Sequence, residues 1–289
     1  MTAIWLNGAI VPKHQACISV FDHGLLYGDG VFEGIRFYNG CAFLLQEHMG
    51  RLFQSAAALQ LRIPYTTQQL TSAVNETIAA YGELNGYLRL VITRGEGLLG
   101  VDPSSCGQPT VFIIADRLQM ISDAARSAGI RAVIVSTRRV PNVSWDARVK
   151  SLNYLNNVLA RLEAHNANAD EAIMLNLAGN VAEGALNNVF IVKNGCLSTP
   201  LTSDGALAGV TRATVLQLAQ AINIPAVEKS LTPYDLYTAD ECFLTGTGVE
   251  LVPVREVDGR SMAVCSGPVF KGLQQAFVDF VRDHTQANV

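Results

Sequence analysis

Charge is scarce in this chain and has no strong sign. Only 16% of residues are charged, 21 Lys and Arg stand against 25 Asp and Glu for a net charge of -4, and the cations are scattered. Such a surface offers no footprint for a phosphate backbone, so nucleic acid is not an expected partner. No apolar run approaches the roughly 20 residues that cross a bilayer, and no membrane association is expected. The opening residues M-T-A-I-W-L-N-G lack the basic start, apolar stretch and cleavage site of a signal peptide, so a soluble, cytoplasmic protein is expected. The cysteines, Cys17, Cys41, Cys106, Cys196, Cys242 and Cys265, lie far apart with no C-x-x-C pair. That spacing argues against a disulfide framework and a zinc site, and favours reduced structural thiols. His14, His23, His48, His165 and His284 show no metal-ligand spacing, so no metal is expected. A G-x-S-x-G elbow is absent, which leaves a serine hydrolase unsupported.

Apolar residues are plentiful. At 49% hydrophobic over 289 residues, the chain can bury a sizeable core, and its length suggests about two domains. Ile4 to Val11 reads as a hairpin around Asn7-Gly8, and Val31 to Leu45 as a second around Asn39-Gly40. Helices are expected over Glu47 to Leu61 and after Thr66-x-x-Gln69, which has the form of a capping box. Strands follow at Gly86 to Thr93 and Thr110 to Ala115, and Asp116 to Gly129 is polar. The expected division is an N-terminal domain over 1–118, a linker over 119–129 and a C-terminal domain over 130–289. In the latter, Leu152, Leu155, Val158, Leu159 and Leu162 have the spacing of one apolar helical face. Short strands are expected near Ala172, Asn188, Cys196, Glu241 and Val252, with helices over Thr211 to Ala221 and Phe270 to Asp283.

Gly95-Glu96-Gly97-Leu98-Leu99-Gly100 satisfies G-x-G-x-x-G, but Pro103 disfavours the helix whose N-terminus a dinucleotide would need. A loop near an active site, or a plain turn, is the better reading. An isolated lysine such as Lys150 would ordinarily be a solvated surface charge. Its surroundings, Arg148-Val149-Lys150-Ser151-Leu152-Asn153-Tyr154-Leu155-Asn156-Asn157, instead resemble the Schiff-base lysine motif of the fold-type-IV pyridoxal-phosphate enzymes. The resemblance extends through separate segments in the family's order: Tyr27 to Arg36, Glu47 to Leu52, Glu183 to Phe190, Gly209 to Arg212, and Thr245 to Gly248.

The resemblance implies an α+β, two-domain fold of the D-amino-acid-aminotransferase-like type, with a smaller N-terminal α/β domain and a larger C-terminal domain whose core is β-barrel-like. It implies pyridoxal 5'-phosphate as cofactor. Lys150 is then the catalytic residue, both attaching the cofactor and carrying a proton. Glu183 is the expected partner of the pyridine nitrogen. Arg51, Thr247 and the amides of Val210 and Thr211 hold the phosphate, and Tyr154 reaches the phenolic oxygen if a helix begins between it and Lys150. Tyr27, Phe32, Gly34, Arg36, Tyr87, Arg89, Thr247 and Gly248 form the implied substrate pocket.

Within the family, Tyr87-Leu88-Arg89 resembles the Tyr-x-Arg of branched-chain aminotransferases. The segment Thr93 to Gly100 has no histidine, which weighs against the D-specific branch. The expected activity is transfer of the amino group of leucine, isoleucine or valine to 2-oxoglutarate by a ping-pong mechanism. The alternatives are a D-amino-acid transaminase, an aminodeoxychorismate lyase, or a cofactor-free metabolite binder. Leu186, Asn187 and Gly248 depart from the branched-chain pattern, the first two replacing the usual Gly and acidic residue. Amino acids and 2-oxo acids are the implied ligands, and a homodimer is the minimum assembly, with Tyr27 and the 95–102 loop reaching across it.

Overall fold

The computed structural model describes residues 2–285. They divide into two compact units, the first comprising 2–118, 149–153 and 281–285, the second 119–148 and 154–280.

The first unit begins with strands β1 (Ala3–Leu6) and β2 (Ala9–Val11), the short helix α1 (His23–Tyr27), then β3 (Gly30–Tyr38) and β4 (Cys41–Ala42). Helices α2 (Leu45–Ala58) and α3 (Thr67–Tyr81) follow, then β5 (Gly86–Thr93) and β6 (Val111–Asp116). The strands form one six-stranded sheet in the order β2-β1-β6-β5-β3-β4. Asn7 and Asn39 have positive φ, so both Asn-Gly turns close hairpins as their sequence requires. The capping box at Thr66 forms, with Gln69 N–H donating to the Thr66 hydroxyl and Thr66 N–H to the Gln69 side chain. One sheet face supplies Val31, Ile35, Phe37, Leu88, Leu90, Ile92 and Ile113 to a core completed by Leu52, Leu70, Val74 and Ile78 of the helices. Alternate residues of β3 therefore point away from the helices.

The second unit contains α4 (Asp123–Ala128), β7 (Ile130–Ile134), α5 (Leu155–Asn166), β8 (Glu171–Leu175), β9 (Val181–Gly184), β10 (Asn188–Lys193) and β11 (Cys196–Thr199). It continues with α6 (Val210–Ala221), β12 (Ala226–Glu228), α7 (Pro233–Tyr237), β13 (Glu241–Gly246), β14 (Glu250–Val257), β15 (Arg260–Ser261) and α8 (Pro268–His284), whose last residues group with the first unit. The sheet has nine strands in the order β12-β11-β10-β13-β14-β7-β8-β9, with β15 on β14. Its outermost strand, β9, lies five positions from β10 along that path, a flat separation of about 24 Å at the usual strand spacing. Only residues 185–187 link the two strands, and that length of chain spans at most about 14 Å. The sheet must curl until β9 lies beside β10, and the closure is sealed by Gly184 N–H donating to the Asn187 carbonyl at 2.7 Å.

One local expectation is corrected. The polar stretch before β7 contains α4, capped by the Ser122 hydroxyl, which accepts from Ala125 N–H. Helix α5 forms where its apolar spacing placed it, and that apolar face is largely exposed: Leu155 is 71%, Val158 51%, Leu159 47% and Leu162 53% accessible. The helix packs through Ala160 and Ala164 against Val135, Ala172 and Met174. Small side chains let the helix approach the sheet closely, so the larger residues remain on the other side.

Candidate active site

In the first unit, β3 carries a charge at an inward position. Glu33 stands between Val31 and Ile35 and is fully buried. A lone carboxylate there would be costly, but α2 supplies its partners. Arg51 donates through Nε to Oε1 and through Nη2 to Oε2, both at 2.7 Å, and His48 Nδ1 lies 2.7 Å from Oε2. Burial alone would raise the carboxyl's pKa, yet the Arg51 charge, with hydrogen bonds from Arg51 and His48, brings it down to about 2. Burial lowers the His48 pKa; Glu33 opposes this, while Arg51 and Lys150 reinforce it. His48 is therefore neutral, and its Nδ1–H donates to Glu33.

The opposite face of β3 holds most of the expected substrate pocket. Phe32 pairs with Val91, Gly34 with Arg89 and Arg36 with Tyr87 across to β5, so Phe32, Gly34, Arg36, Tyr87 and Arg89 project from one face. The Arg89 guanidinium lies 4.5 Å from the Phe32 ring centroid and 5.8 Å from that of Tyr87. Lys150 Nζ is also 4.5 Å from the Phe32 centroid. A Cβ on Gly34 would come within 2.0 Å of the Tyr87 hydroxyl, so the absent side chain makes room for that hydroxyl.

Lys150 is held by its backbone. Its N–H donates to Ser55 Oγ at 3.1 Å, its carbonyl accepts from Phe32 N–H, and Leu152 N–H donates to Gly30 O. Residues 149–153 thus lie along the start of β3 beside α2. Tyr27, on α1, accepts from Gly100 N–H at 2.8 Å, and His23 Nε2 lies 2.9 Å from Leu98 O. These bonds fasten the glycine-rich loop to α1, and no helix of the dinucleotide-binding kind follows it.

In the second unit, Glu183 lies near the end of β9 and Asn188 opens β10, so the seam of the curled sheet carries both. Asn188 Nδ2 donates to Glu183 Oε2 at 3.2 Å and Leu207 N–H donates to the same oxygen at 2.8 Å. Arg139 Nη2 lies 2.9 Å from Oε1. A Cβ on Gly209 would meet Asn188 Oδ1 at 2.1 Å, and glycine allows that approach. Gly209 is also the N-cap of α6, with no side-chain cap, so the amides of Val210 and Thr211 open the helix N-terminus. Thr247 and Gly248 occupy the turn from β13 to β14. On β13, Thr245 pairs with Asn188, and its buried hydroxyl has no partner among the described residues.

The helix on which the expected reach of Tyr154 depends starts later. Helix α5 begins at Leu155, and Tyr154 is its N-cap residue, so no helix starts between Lys150 and Tyr154. The departures have separate environments. Leu186 is half exposed, whereas Asn187 is buried and donates to Glu171 Oε2 at 2.6 Å. Burial raises the Glu171 pKa against the pull of Arg161, the Ala172 N–H and Asn187. An acidic residue at 187 would set two buried carboxylates against each other.

Sequence reasoning missed Glu33, His48, Ser55, Arg139, Asn157 and the pairing role of Asn188. Glu33 had a signal, a charge at an inward position of an alternating strand. Arg139 had none, because its partner lies 44 residues further along the chain.

A family model described as Amino-transferase class IV matches residues 30–257. A Methanocaldococcus jannaschii protein named "Putative branched-chain-amino-acid aminotransferase" is 49% identical over 96% of this chain and 95% of its own. The branched-chain aminotransferase of Thermoproteus uzoniensis, solved with norvaline, superposes with a TM-score of 0.92 at 38% identity, covering 98% of this chain and 96% of that one. The T.th. branched-chain amino acid aminotransferase, complexed with N-(5'-phosphopyridoxyl)-L-glutamate, gives 0.91 at 34% identity, covering 99% and 95%. The 4-amino-4-deoxychorismate lyase of Pseudomonas aeruginosa is more distant in shape, with a TM-score of 0.83 at 33% identity over 97% and 98%.

Proposed function

The chain belongs to the class IV aminotransferases, and from that membership we propose that it transfers the amino group of leucine, isoleucine and valine to 2-oxoglutarate with pyridoxal 5'-phosphate as cofactor. The observation that carries this reading is Lys150 Nζ resting on Phe32, on the sheet face that also bears Gly34, Arg36, Tyr87 and Arg89. An aromatic surface suits an aliphatic side chain, and the arginines and tyrosine hydroxyl suit the distal carboxylate of glutamate. Alternating use of those two substrates is what a ping-pong transaminase requires.

The donor set fits the cofactor. Val210 and Thr211 offer amides at a helix N-terminus without a side-chain cap, which favours a phosphate. The Thr245 hydroxyl is a buried polar atom still lacking a partner among the described residues. Arg51 and Thr247 would add charge and a further donor to the phosphate, Tyr154 at the N-cap of α5 would, by the family resemblance alone, meet the phenolic oxygen, and Glu183 would accept from the ring nitrogen. When bound, the cofactor supplies an electron sink that amino-acid side chains lack. Lys150 would hold it covalently and, once displaced by substrate, carry the proton removed from the substrate α-carbon on Nζ. Tyr27, Phe32, Gly34, Arg36, Tyr87, Arg89 and Gly248 would orient the substrate.

A homodimer in the cytoplasm is part of the same reading. It is supported by the exposed Leu155, Val158, Leu159 and Leu162 of α5, and by cysteines that are all free. Sedimentation at the mass of one chain would remove the dimer.

Single-turnover spectra test the activity. Leucine should convert the bound cofactor to its amine form, and D-alanine and aminodeoxychorismate should not. Failure with leucine overturns the branched-chain assignment. Lys150→Ala should lose the absorbance of the covalently held cofactor and slow turnover by about 10⁴-fold, the upper range for loss of a positioned base.

A further inference from the structure

We propose that Arg139 is a positioning residue that fixes the proton shared between Glu183 and the cofactor's ring nitrogen on the nitrogen side. The proposal rests on the reading of Glu183 as the ring-nitrogen partner.

Arg139 is held from several directions. Its backbone N–H donates to Leu175 O at 2.9 Å at the end of β8. Around the guanidinium, Nε donates to Gly205 O at 3.0 Å and Nη1 to Asn157 Oδ1 at 3.3 Å, while Nη2 forms an ion pair with Glu183 Oε1 at 2.9 Å. Asn157 is itself buried on α5 and donates through Nδ2 to Ala185 O at 2.6 Å. One amide thus ties the cation to the turn that follows Glu183, and the plane of the guanidinium is set independently of the carboxylate.

The Glu183 carboxylate has acceptor positions for roughly four donors. Asn188 Nδ2 and Leu207 N–H fill two of them, both on Oε2, and the Arg139 cation lies 2.9 Å from Oε1. A position left on the carboxylate suits a protonated ring nitrogen. Two arrangements of that one proton compete: N–H against a carboxylate, or nitrogen against O–H. Moving the proton to Glu183 breaks the N–H bond, forms an O–H bond and leaves the Arg139 cation facing a neutral carboxyl in buried surroundings. That loss of ion pairing opposes the transfer. Asn188 and Leu207 favour the carboxylate only as neutral donors, so the cation dominates the bias. A proton kept on nitrogen leaves the ring the stronger electron acceptor.

The test uses the holoenzyme loaded with cofactor labelled with ¹⁵N in the ring, read by ¹⁵N NMR at neutral pH beside the leucine half-reaction. Glu183→Gln should move the ring signal to the neutral-pyridine position; if it does not, the reading of Glu183 fails. Given that shift, Arg139→Gln should move the signal in the same direction and slow the half-reaction about tenfold or more, the effect of one pK unit in the proton balance. Arg139→Lys, which keeps the charge but not the planar fork, should leave the signal near its wild-type position. An unmoved signal in Arg139→Gln overturns the proposal. If that variant does not retain cofactor, Arg139→Lys decides alone: a signal as far displaced as that of Glu183→Gln, with charge retained, overturns it as well.

Discussion

Each unit buries a glutamate against an arginine, but the two carboxylates are built for different work. Glu33 takes both forks of Arg51 and the ring of His48, with every contact at 2.7 Å. Glu183 takes a single guanidinium nitrogen and two neutral donors, the nearest at 2.8 Å. The first arrangement fixes an arginine on a helix, and the carboxylate has little acceptor capacity left. The second fixes a carboxylate at the seam of a curled sheet and keeps part of it available for a ligand. On the proposed reading, the arginine is the working group in one unit and the glutamate in the other.

Exchanging each glutamate for its isosteric amide breaks the comparison in opposite ways. Glu183→Gln should lower kcat by about 10³-fold, of order 4 kcal/mol in the barrier, and should cost less thermal stability than the Glu33 exchange, because Arg139 keeps Gly205 O and Asn157 Oδ1 as acceptors and Asn188 and Leu207 keep theirs. Stopped-flow measurement of the leucine half-reaction beside thermal unfolding checks both halves. A stability loss as large as the kinetic one would make Glu183 a structural residue and erase the contrast.

Glu33→Gln should do the reverse. It leaves Arg51 buried without its countercharge, a change that costs about 3 kcal/mol or more, and it loosens the cofactor chiefly by releasing Arg51. The acid limb of stability gives a second reading. With its folded pKa at about 2 against the ordinary 4.5, Glu33 contributes stability that is fully present above pH 4.5 and is lost as pH falls toward 2. His48, whose folded pKa is lowered from 6.5, adds an earlier loss that begins as pH falls below that value. Urea unfolding at stepped pH should show the Glu33 loss, of order 3 kcal/mol, in the wild type and not in Glu33→Gln. Parallel acid limbs in both proteins would remove Glu33 as its source.

Local chemistry makes much of this legible in the sequence. The Asn-Gly turns, the capping box at Thr66 and the alternating strands β3 and β5 are decided by a few adjacent residues, and they stand as expected. Lys150 is legible through motif resemblance and Glu33 through its break in an alternating strand. Helix α5 forms as its spacing requires, but periodicity shows that a face is apolar without showing what covers it. Its start at Leu155 is not legible, because residues 149–153 are first held along β3 by pairing to Gly30 and Phe32. Arg139 and Asn157 act through partners brought near by the curl of the sheet, and no local pattern encodes that curl.

The smallest expected effects come from two glycines, one in each unit, that the same substitution separates. A Cβ on Gly34 would press the Tyr87 hydroxyl from 2.0 Å, and one on Gly209 would press Asn188 Oδ1 from 2.1 Å. Neither glycine has positive φ, so alanine is opposed by the neighbour and not by the backbone. In Gly34→Ala the displaced group is a hydroxyl of the proposed substrate pocket, and KM for leucine or 2-oxoglutarate should rise about tenfold, or roughly 1.4 kcal/mol, with cofactor affinity unchanged. In Gly209→Ala the displaced group is the amide that donates to Glu183, at the start of the helix proposed to hold the phosphate. There the cofactor Kd should rise by a similar factor while KM at saturating cofactor stays within about twofold, well below one tenfold step. Cofactor titration and steady-state kinetics on both variants separate the outcomes. A KM effect in Gly209→Ala larger than in Gly34→Ala would mean that the second unit, and not the face of β3, sets substrate recognition.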